Sequence, residues 1–190
     1  MDKESVMDIL VNTKAIMKGH FLLTSGLHSD TYIQCARVLQ YPEYTALFAE
    51  TIISGFKNEK IDFVVGPAVG GIVIAYEIGR QLGIPGIFTE REGGVMTLRR
   101  GFEIPSGAKV LVVEDVVTTG GSVFEVIKVV EQHGAEVLGV GFLVDRSGDN
   151  VDFGVKKQAV TSLDVKTYSP AECPMCREGS IAVKPGSRKI

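Results

Sequence analysis

Between residues 61 and 145 the chain alternates short apolar runs with segments of helical periodicity. The runs IDFVV, IPGIFTE, AKVLVVE and AEVLGVGFLVDR predict four strands, and IVIAYEIGRQLG and SVFEVIKVVEQHG predict two helices. Strands that alternate with helices of about a dozen residues are typical of a parallel sheet covered on both faces. We therefore expect an α/β fold in which helices flank a parallel, twisted sheet.

Two of these strands run directly into glycine-rich loops. GPAVGG follows the first strand and DVVTTGG follows the third. Because strand–helix–strand crossovers are right-handed, both loops fall at the carboxyl edge of the sheet, where such folds bind ligands. A ligand site at that edge is predicted.

Regions outside this repeating unit carry weaker signals. Apolar spacing over residues 5–17 predicts a helix, residues 20–35 predict a hairpin, and Pro42 can begin another helix. REGGVMTLRRGFEIPSG predicts a long loop or loose hairpin, and residues 164–190 a loop-rich tail.

The stretch VLVVEDVVTTGGS, residues 110–122, carries the strongest functional signal. Backbone N–H groups at Thr118–Ser122 would point at a ligand at the following helix N-terminus, and the helix dipole favours an anion. The loop is neither a Walker motif nor a dinucleotide fingerprint. Glu114 and Asp115 would repel a phosphate but suit neighbouring hydroxyls, so a ribose 5-phosphate satisfies both halves; a capped helix after an acidic strand end is the structural alternative.

Bulk properties exclude several classes of protein. A net charge of −3 over 190 residues argues against a broad nucleic-acid-binding surface. The longest uncharged run, Phe63–Tyr76, is too short and glycine-rich to span a bilayer, and the N-terminus lacks a signal-peptide core. Three cysteines, an odd number, argue against a disulfide framework. We expect a cytoplasmic protein without membrane or nucleic-acid partners.

VLVVEDVVTTGGS resembles the phosphoribosyl pyrophosphate signature of the type I phosphoribosyltransferases. GHFLLTSGLHSDTYIQC is similar to the N-terminal hood of the orotate phosphoribosyltransferases in that family, and GFLVDRSG to their orotate-binding strand. VVGPAVGG occupies the place of the pyrophosphate loop. The sequence departs from the family at Thr24, where lysine is frequent, and in a mobile loop that has arginines but no lysine or histidine.

The resemblance implies one phosphoribosyltransferase domain over residues 1–190, with a hood near 18–40 plus parts of the C-terminal tail and a core near 41–163. It assigns catalytic roles to Glu114, Asp115, Arg99 and Arg100. Ribose 5-phosphate binding is implied for Glu114, Asp115, Val116, Val117, Thr118, Thr119, Gly120, Gly121 and Ser122. Orotate binding is implied for Thr118 and Arg146, the pyrophosphate loop for Pro67, Ala68, Val69, Gly70 and Gly71, and the mobile loop for Arg91, Arg99 and Arg100.

The implied reaction joins orotate and phosphoribosyl pyrophosphate to give orotidine 5′-monophosphate and pyrophosphate, with Mg²⁺. Mg²⁺ keeps several waters and sits mainly on substrate oxygens, so no dedicated metal cluster is expected for it. The active unit is implied to be a homodimer with shared active sites. A purine phosphoribosyltransferase and a non-catalytic phosphoribosyl pyrophosphate-sensing regulator are alternatives; Arg146 argues against the first, because a purine has no carboxylate, and the net charge against the second.

The positions of the cysteines suggest a second hypothesis, a zinc site. Cys173 and Cys176 form a Cys-x-x-Cys knuckle that resembles half a zinc site, but zinc needs four ligands and the sequence shows no second pair. Two knuckles meeting across a dimer could complete a site, and a pair of free thiols is the favoured interpretation. His20 and His28, in the predicted hairpin, are expected to face solvent.

Overall fold

A computed structural model of the protein describes residues 3–23 and 25–185, so Thr24 lies outside the described residues. Fifteen helices and strands follow one another along these parts of the chain. In order they are α1 (Lys3–Asn12), β1 (Ile16–Leu22), β2 (His28–Ile33), α2 (Ala36–Leu39), α3 (Pro42–Gly55), β3 (Phe63–Pro67), α4 (Gly70–Leu82), β4 (Gly86–Glu92), β5 (Val95–Leu98), β6 (Lys109–Val117), α5 (Gly121–Gln132), β7 (Glu136–Asp145), β8 (Lys156–Ser162), β9 (Thr167–Tyr168) and α6 (Pro174–Arg177).

The central sheet has six strands in the order β5-β4-β3-β6-β7-β8. All neighbouring pairs are parallel except β4 with β5. The expected α/β class is confirmed, with one antiparallel edge strand. That edge is a hairpin whose two-residue turn, Gly93–Gly94, has φ of 58° and 86°, values that glycine adopts without strain. Of the two predicted alternatives, a long loop or a loose hairpin, the structure shows the hairpin, and its turn is tight.

Strand β6 separates two cores. Leu111 and Val113 pack with α3 and α4 on one face, whereas Val110 and Val112 pack with α5 on the other. Successive side chains of a strand point to opposite faces, and here both faces are apolar because helices cover both. This placement fixes the carboxyl end of β6 between the N-termini of α4 and α5.

Two predicted boundaries are wrong. Asp115–Val117 belong to β6 rather than to a loop, because Val116 and Val117 pair with Val144 and Asp145 of β7. Ile16 belongs to β1 rather than to the first helix, because it pairs with Ile33 after the chain turns at Lys14, whose φ is +56°. The spacing of apolar residues predicts which face is buried, but the ends of a strand depend on where its neighbouring strand offers hydrogen bonds.

A smaller antiparallel sheet, in the order β1-β2-β9, lies beside the core, and we call it the hood sheet. Its third strand comes from the C-terminal tail, and Val183 also bonds to the backbone of His20 and Leu22. His20 and His28 are each 8% exposed, so the expectation that they face solvent is wrong. The tail covers them, which the sequence pattern of the hairpin alone does not reveal.

In the described ranges, no helix combines the length and apolar character that crossing a membrane would require.

Candidate active site at the carboxyl edge of the sheet

A cavity of about 250 Å³ opens where β6 meets α5. The two strands that carry glycine loops, β3 and β6, are direct neighbours in the sheet, so both loops end beside one another as expected. Residues from the end of β6 through the first turns of α5 line the cavity, together with one arginine of β4. They are Arg91, Glu114, Val116, Val117, Thr118, Thr119, Gly120, Gly121, Ser122, Val123 and Glu125.

The turn into α5 is shaped by Gly120. Its φ is +75°, and a Cβ there would lie 2.9 Å from Phe153 and from Val151, so a larger residue would meet both strain and crowding. No side chain caps the helix. The first backbone N–H groups of a helix have no acceptor within it, and the dipole favours negative charge at this end. The loop thus presents backbone N–H donors and the positive end of the helix dipole to the cavity.

The two acids of β6, Glu114 and Asp115, have different neighbours. Asp115 lies against the first residue of α4: a Cβ on Gly70 would collide with its carboxylate. Its Oδ1 accepts a hydrogen bond from the Val116 N–H at 2.8 Å. Glu114 lines the cavity instead, and its Oε1 accepts the Asp115 N–H at 3.0 Å. Asp115 therefore touches the loop between β3 and α4, while Glu114 borders the turn Thr118–Ser122.

Glu114 is a buried acid, with only 8% of its surface exposed. Burial, followed by the negative charge of Asp115, raises the pKa of Glu114 to about 9. At neutral pH its carboxyl group therefore carries a proton and can donate a hydrogen bond as well as accept one. From the sequence, both acids were expected to be ionised. Burial makes Glu114 the exception, because it favours the neutral form of that carboxyl group.

The GPAVGG loop joins β3 to α4 in a crowded turn. Ala68 donates its N–H to the Thr89 carbonyl oxygen at 2.7 Å, and the Ala68–Val69 peptide bond is cis. A Cβ on Gly71 would lie 2.8 Å from Pro67, so the backbone approaches itself more closely than another residue would allow. The segment predicted to bind pyrophosphate, Pro67–Gly71, thus adjoins Asp115 directly.

Arg146 follows β7 at the same edge of the sheet. Its N–H donates to the Val117 carbonyl oxygen at 2.8 Å. Its Nε is buried and has no hydrogen-bond partner among the described residues. Burial lowers the pKa of the Arg146 guanidinium below its usual value, which means that the cation has lost hydration.

Asp145 and Asp149, the two acids nearest to Arg146 in the sequence, are not paired with it in the described part of the chain. Asp145 accepts hydrogen bonds from the Ser147 N–H at 2.7 Å and from the Ser147 hydroxyl at 2.6 Å. Asp149 forms an ion pair with Lys157 at 2.6 Å. A desolvated guanidinium without a carboxylate favours binding of an external anion.

The three arginines assigned to the mobile loop lie on the β4–β5 hairpin and just after it. Arg91 pairs with Glu125 of α5, Arg99 with Glu92 at 3.0 Å, and Arg100 with Glu90 at 2.9 Å. Arg91 borders the cavity, whereas Arg99 and Arg100 are not among its lining residues. All three arginines are exposed, and ion pairs at the surface are individually weak and can exchange partners.

Glu125 is a cavity residue that the sequence did not single out. It lies within the second turn of α5 and holds Arg91 over the mouth of the cavity. Its position one turn after the Thr118–Ser122 loop could have marked Glu125 as a residue near the ligand. Only the fold shows that Arg91, from β4, pairs with it.

Several known proteins resemble this chain in sequence and in fold. Residues 41–156 match the phosphoribosyl transferase domain family. The chain is 56% identical to the orotate phosphoribosyltransferase of Caldanaerobacter subterraneus subsp. tengcongensis and 57% identical to that of Thermoanaerobacter sp. (strain X514), each over all of both chains. Its fold is similar to a crystal structure of orotate phosphoribosyltransferase from Aeropyrum pernix, with a TM-score of 0.71, 27% identity, and coverage of 83% of this chain and 93% of that one.

Proposed function

Since the chain belongs to the orotate phosphoribosyltransferase family, we propose that it transfers the 5-phosphoribosyl group of phosphoribosyl pyrophosphate to orotate, releasing pyrophosphate. The observation that carries the assignment is the half-buried Arg146, whose Nε lacks a partner in the described structure. A planar guanidinium can hold a carboxylate through two parallel hydrogen bonds. Orotate offers that carboxylate and a purine does not.

The cavity fits the other substrate. We assign the 5′-phosphate to the turn Thr118–Ser122 at the N-terminus of α5, where backbone N–H groups and hydroxyls converge. Glu114 and Asp115 would bind the ribose hydroxyls. The protonated Glu114 can donate to one hydroxyl oxygen, while Asp115 accepts from another.

Bond cleavage at C1 builds positive charge on the ribose ring and negative charge on the departing pyrophosphate. Asp115 of β6 lies against Gly70 of the Pro67–Gly71 loop, so its carboxylate would add negative potential beside the ring. The close backbone of that loop would receive the pyrophosphate. Orotate is an anionic nucleophile once its N1 proton is lost, so positioning by Arg146 contributes more than a strong base would.

Mg²⁺ prefers oxygen ligands and keeps several waters, and the carboxyl groups of Asp115 and Glu114 supply oxygen donors at the cavity. These residues fit the ion, which when bound would neutralise charge on the pyrophosphate oxygens. Their oxygens would hold the ion mainly through water and substrate hydroxyls.

We assign the hairpin arginines to a lid. Arg91, Arg99 and Arg100 could leave their carboxylate partners for the more highly charged pyrophosphate, closing over the cavity and excluding water. The lid would serve the partner subunit of a homodimer. An exposed apolar stripe along α4 supports an interface here: Val69, Val73 and Tyr76 are 79%, 39% and 66% exposed, and Val69 belongs to the pyrophosphate loop itself.

The same proposal extends to the chain as a whole. It would act in the cytoplasm as one domain, with the hood sheet beside the base-binding end of the cavity. Burial lowers the pKa of Arg146, Tyr32 of β2 raises it by a smaller amount, and this proximity of Tyr32 supports a position of the hood sheet beside the proposed orotate carboxylate.

The test is the pair of variants Arg146→Ala and Arg146→Lys, assayed by orotate absorbance with adenine, hypoxanthine and uracil as competitors. Loss of a charge-assisted pair of about 1.5–3 kcal/mol should raise KM for orotate about 10- to 150-fold in the alanine variant. Lysine keeps the charge but not the fork, so it should restore only part of the loss. KM for phosphoribosyl pyrophosphate should change little.

An equal effect on both substrates would make Arg146 a structural residue. Turnover of adenine or hypoxanthine by the wild-type protein, with none of orotate, would overturn the proposed function.

A further inference from the structure

Four side chains outside the active site bring their metal-binding atoms together. His20 of β1, His28 of β2, and Cys173 and Cys176 at α6 offer one ligand atom each, and all four atoms lie within 4.8 Å of one another. His20, His28 and Cys173 are buried and Cys176 is partly exposed. The second pair of ligands that the Cys-x-x-Cys knuckle lacked is therefore present in the same chain, on the hood sheet.

The separations match a tetrahedral ion. With Zn–S bonds near 2.3 Å and Zn–N bonds near 2.05 Å, neighbouring sulfur and nitrogen ligands should stand about 3.6 Å apart. The measured values are 3.4 Å for Cys173 Sγ to His20 Nε2, 3.7 Å for Cys176 Sγ to His20 Nε2, and 3.3 Å for Cys176 Sγ to His28 Nδ1. The two histidine nitrogens are 2.8 Å apart and would separate by about half an ångström around the ion.

Surrounding contacts orient these ligands. The other ring nitrogen of His20, Nδ1, lies 3.1 Å from the Ser180 carbonyl oxygen, so it can donate there and leave Nε2 free to face the cluster. Metal-bound histidines are ordinarily held in this way by an acceptor on the second nitrogen. Cys173 precedes the first turn of α6 and Cys176 lies within it, which turns both sulfurs toward the same point.

We propose that His20, His28, Cys173 and Cys176 bind one structural zinc ion that fastens the C-terminal tail to the hood sheet. Two thiolates and two imidazoles favour zinc over Mg²⁺, which takes oxygen ligands. Four protein ligands leave no open position, so the ion is structural rather than catalytic. This site is separate from the proposed transfer reaction and stands without it.

A disulfide between Cys173 and Cys176 is the competing explanation of the knuckle. It would use both sulfurs but would give the two buried histidines no role. Zinc uses all four groups, and their meeting involves positions as far apart as 156 residues in the chain.

The chain provides matched controls, because it has three histidines and three cysteines and one of each lies outside the cluster. His133 bonds to the Val129 carbonyl oxygen at the end of α5, and Cys35 lies in the core. Untagged protein should be purified with zinc in the medium, under reducing conditions and without chelator. Metal content is then measured for the wild type, Cys173→Ser, Cys176→Ser and His28→Gln, and for the controls Cys35→Ala and His133→Gln.

We expect about one equivalent of zinc per chain in the wild type and both controls, and less than about a tenth in the three cluster variants. Replacing zinc by cobalt should give the visible bands of a tetrahedral ion and a near-ultraviolet thiolate-to-cobalt band. Proteolysis of the tail should be faster after zinc removal than before it. The wild-type measurements stand even if a cluster variant fails to fold.

Three results would overturn the proposal. Wild-type protein containing half an equivalent of zinc or less per chain would exclude a complete site within one chain. A chain lighter by two hydrogens, with Cys173 linked to Cys176 and no zinc, would establish the disulfide instead. Cluster variants that are folded and keep the wild-type zinc content would place the ion elsewhere.

Discussion

Replacing Glu114 by glutamine should stabilise the fold at neutral pH and above. Glutamine keeps the shape of the side chain and the oxygen that accepts the Asp115 N–H. It removes the ionisable group that burial and the Asp115 charge oppose. The glutamine variant should therefore be more stable than the wild type wherever the wild-type carboxyl group must hold a proton to stay folded.

The magnitude follows from proton binding. In the unfolded chain Glu114 ionises near its ordinary pKa of 4.5, whereas in the folded chain its pKa is about 9. Between these pH values the folded state holds one extra proton, so its stability is full below pH 4.5 and is lost as pH rises toward 9. The slope is about 1.4 kcal/mol per pH unit, which gives about 3 kcal/mol in favour of the glutamine variant at pH 7.

The measurement is urea unfolding of both proteins from about pH 5 to pH 8.5, with Glu131→Gln as the control. Glu131 lies on the exposed face of α5, so its variant should follow the wild-type profile. We expect the advantage of Glu114→Gln to grow steadily with pH. A constant difference across this range would mean that Glu114 is ionised in the folded protein, and the reasoning from burial would be refuted.

Two further predictions concern the proposed catalytic groups. Asp115→Asn should keep its circular dichroism spectrum but lose far more turnover than pyrophosphate affinity, because the amide lacks the negative potential; near-wild-type activity would contradict the assigned role. For the lid, subunits carrying Arg99→Ala with Arg100→Ala should be mixed with Asp115→Asn subunits and allowed to exchange. Random pairing makes about half the dimers hybrids with one complete site each, so about a quarter of normal activity should return. A mixture that stays inactive, with exchange confirmed, would show that each lid serves its own pocket.

Much of the fold is written locally in the chain. The strands β3, β6 and β7 and the helices α4 and α5 were predictable because each buries an apolar face whose spacing is visible along a dozen residues. The turn Thr118–Ser122 was recognisable for a similar reason, since the strand end, the glycines and the start of the helix follow one another directly in the sequence. The Gly93–Gly94 pair also signals a turn in the sequence, but the hairpin was expected to be looser than the two-residue turn that the structure shows.

Element ends were less predictable. Asp115–Val117 continue β6 because β7 supplies hydrogen-bond partners, and Ile16 joins β1 because Ile33 faces it. Backbone pairing with a distant strand overrides the local pattern at such positions.

The sequence by itself determined the parallel α/β core, the glycine-bearing turn into α5 and the family, because periodicity and contiguous motifs are properties of neighbouring residues. Only the tertiary structure decided the protonation of Glu114, the unpaired state of Arg146 Nε in the described structure, and the meeting of two histidines with two cysteines. Burial and partnership depend on which distant segments cover a side chain. The tail supplies the cover and the sulfur ligands for His20 and His28, and nothing in the residues around either histidine encodes that contact.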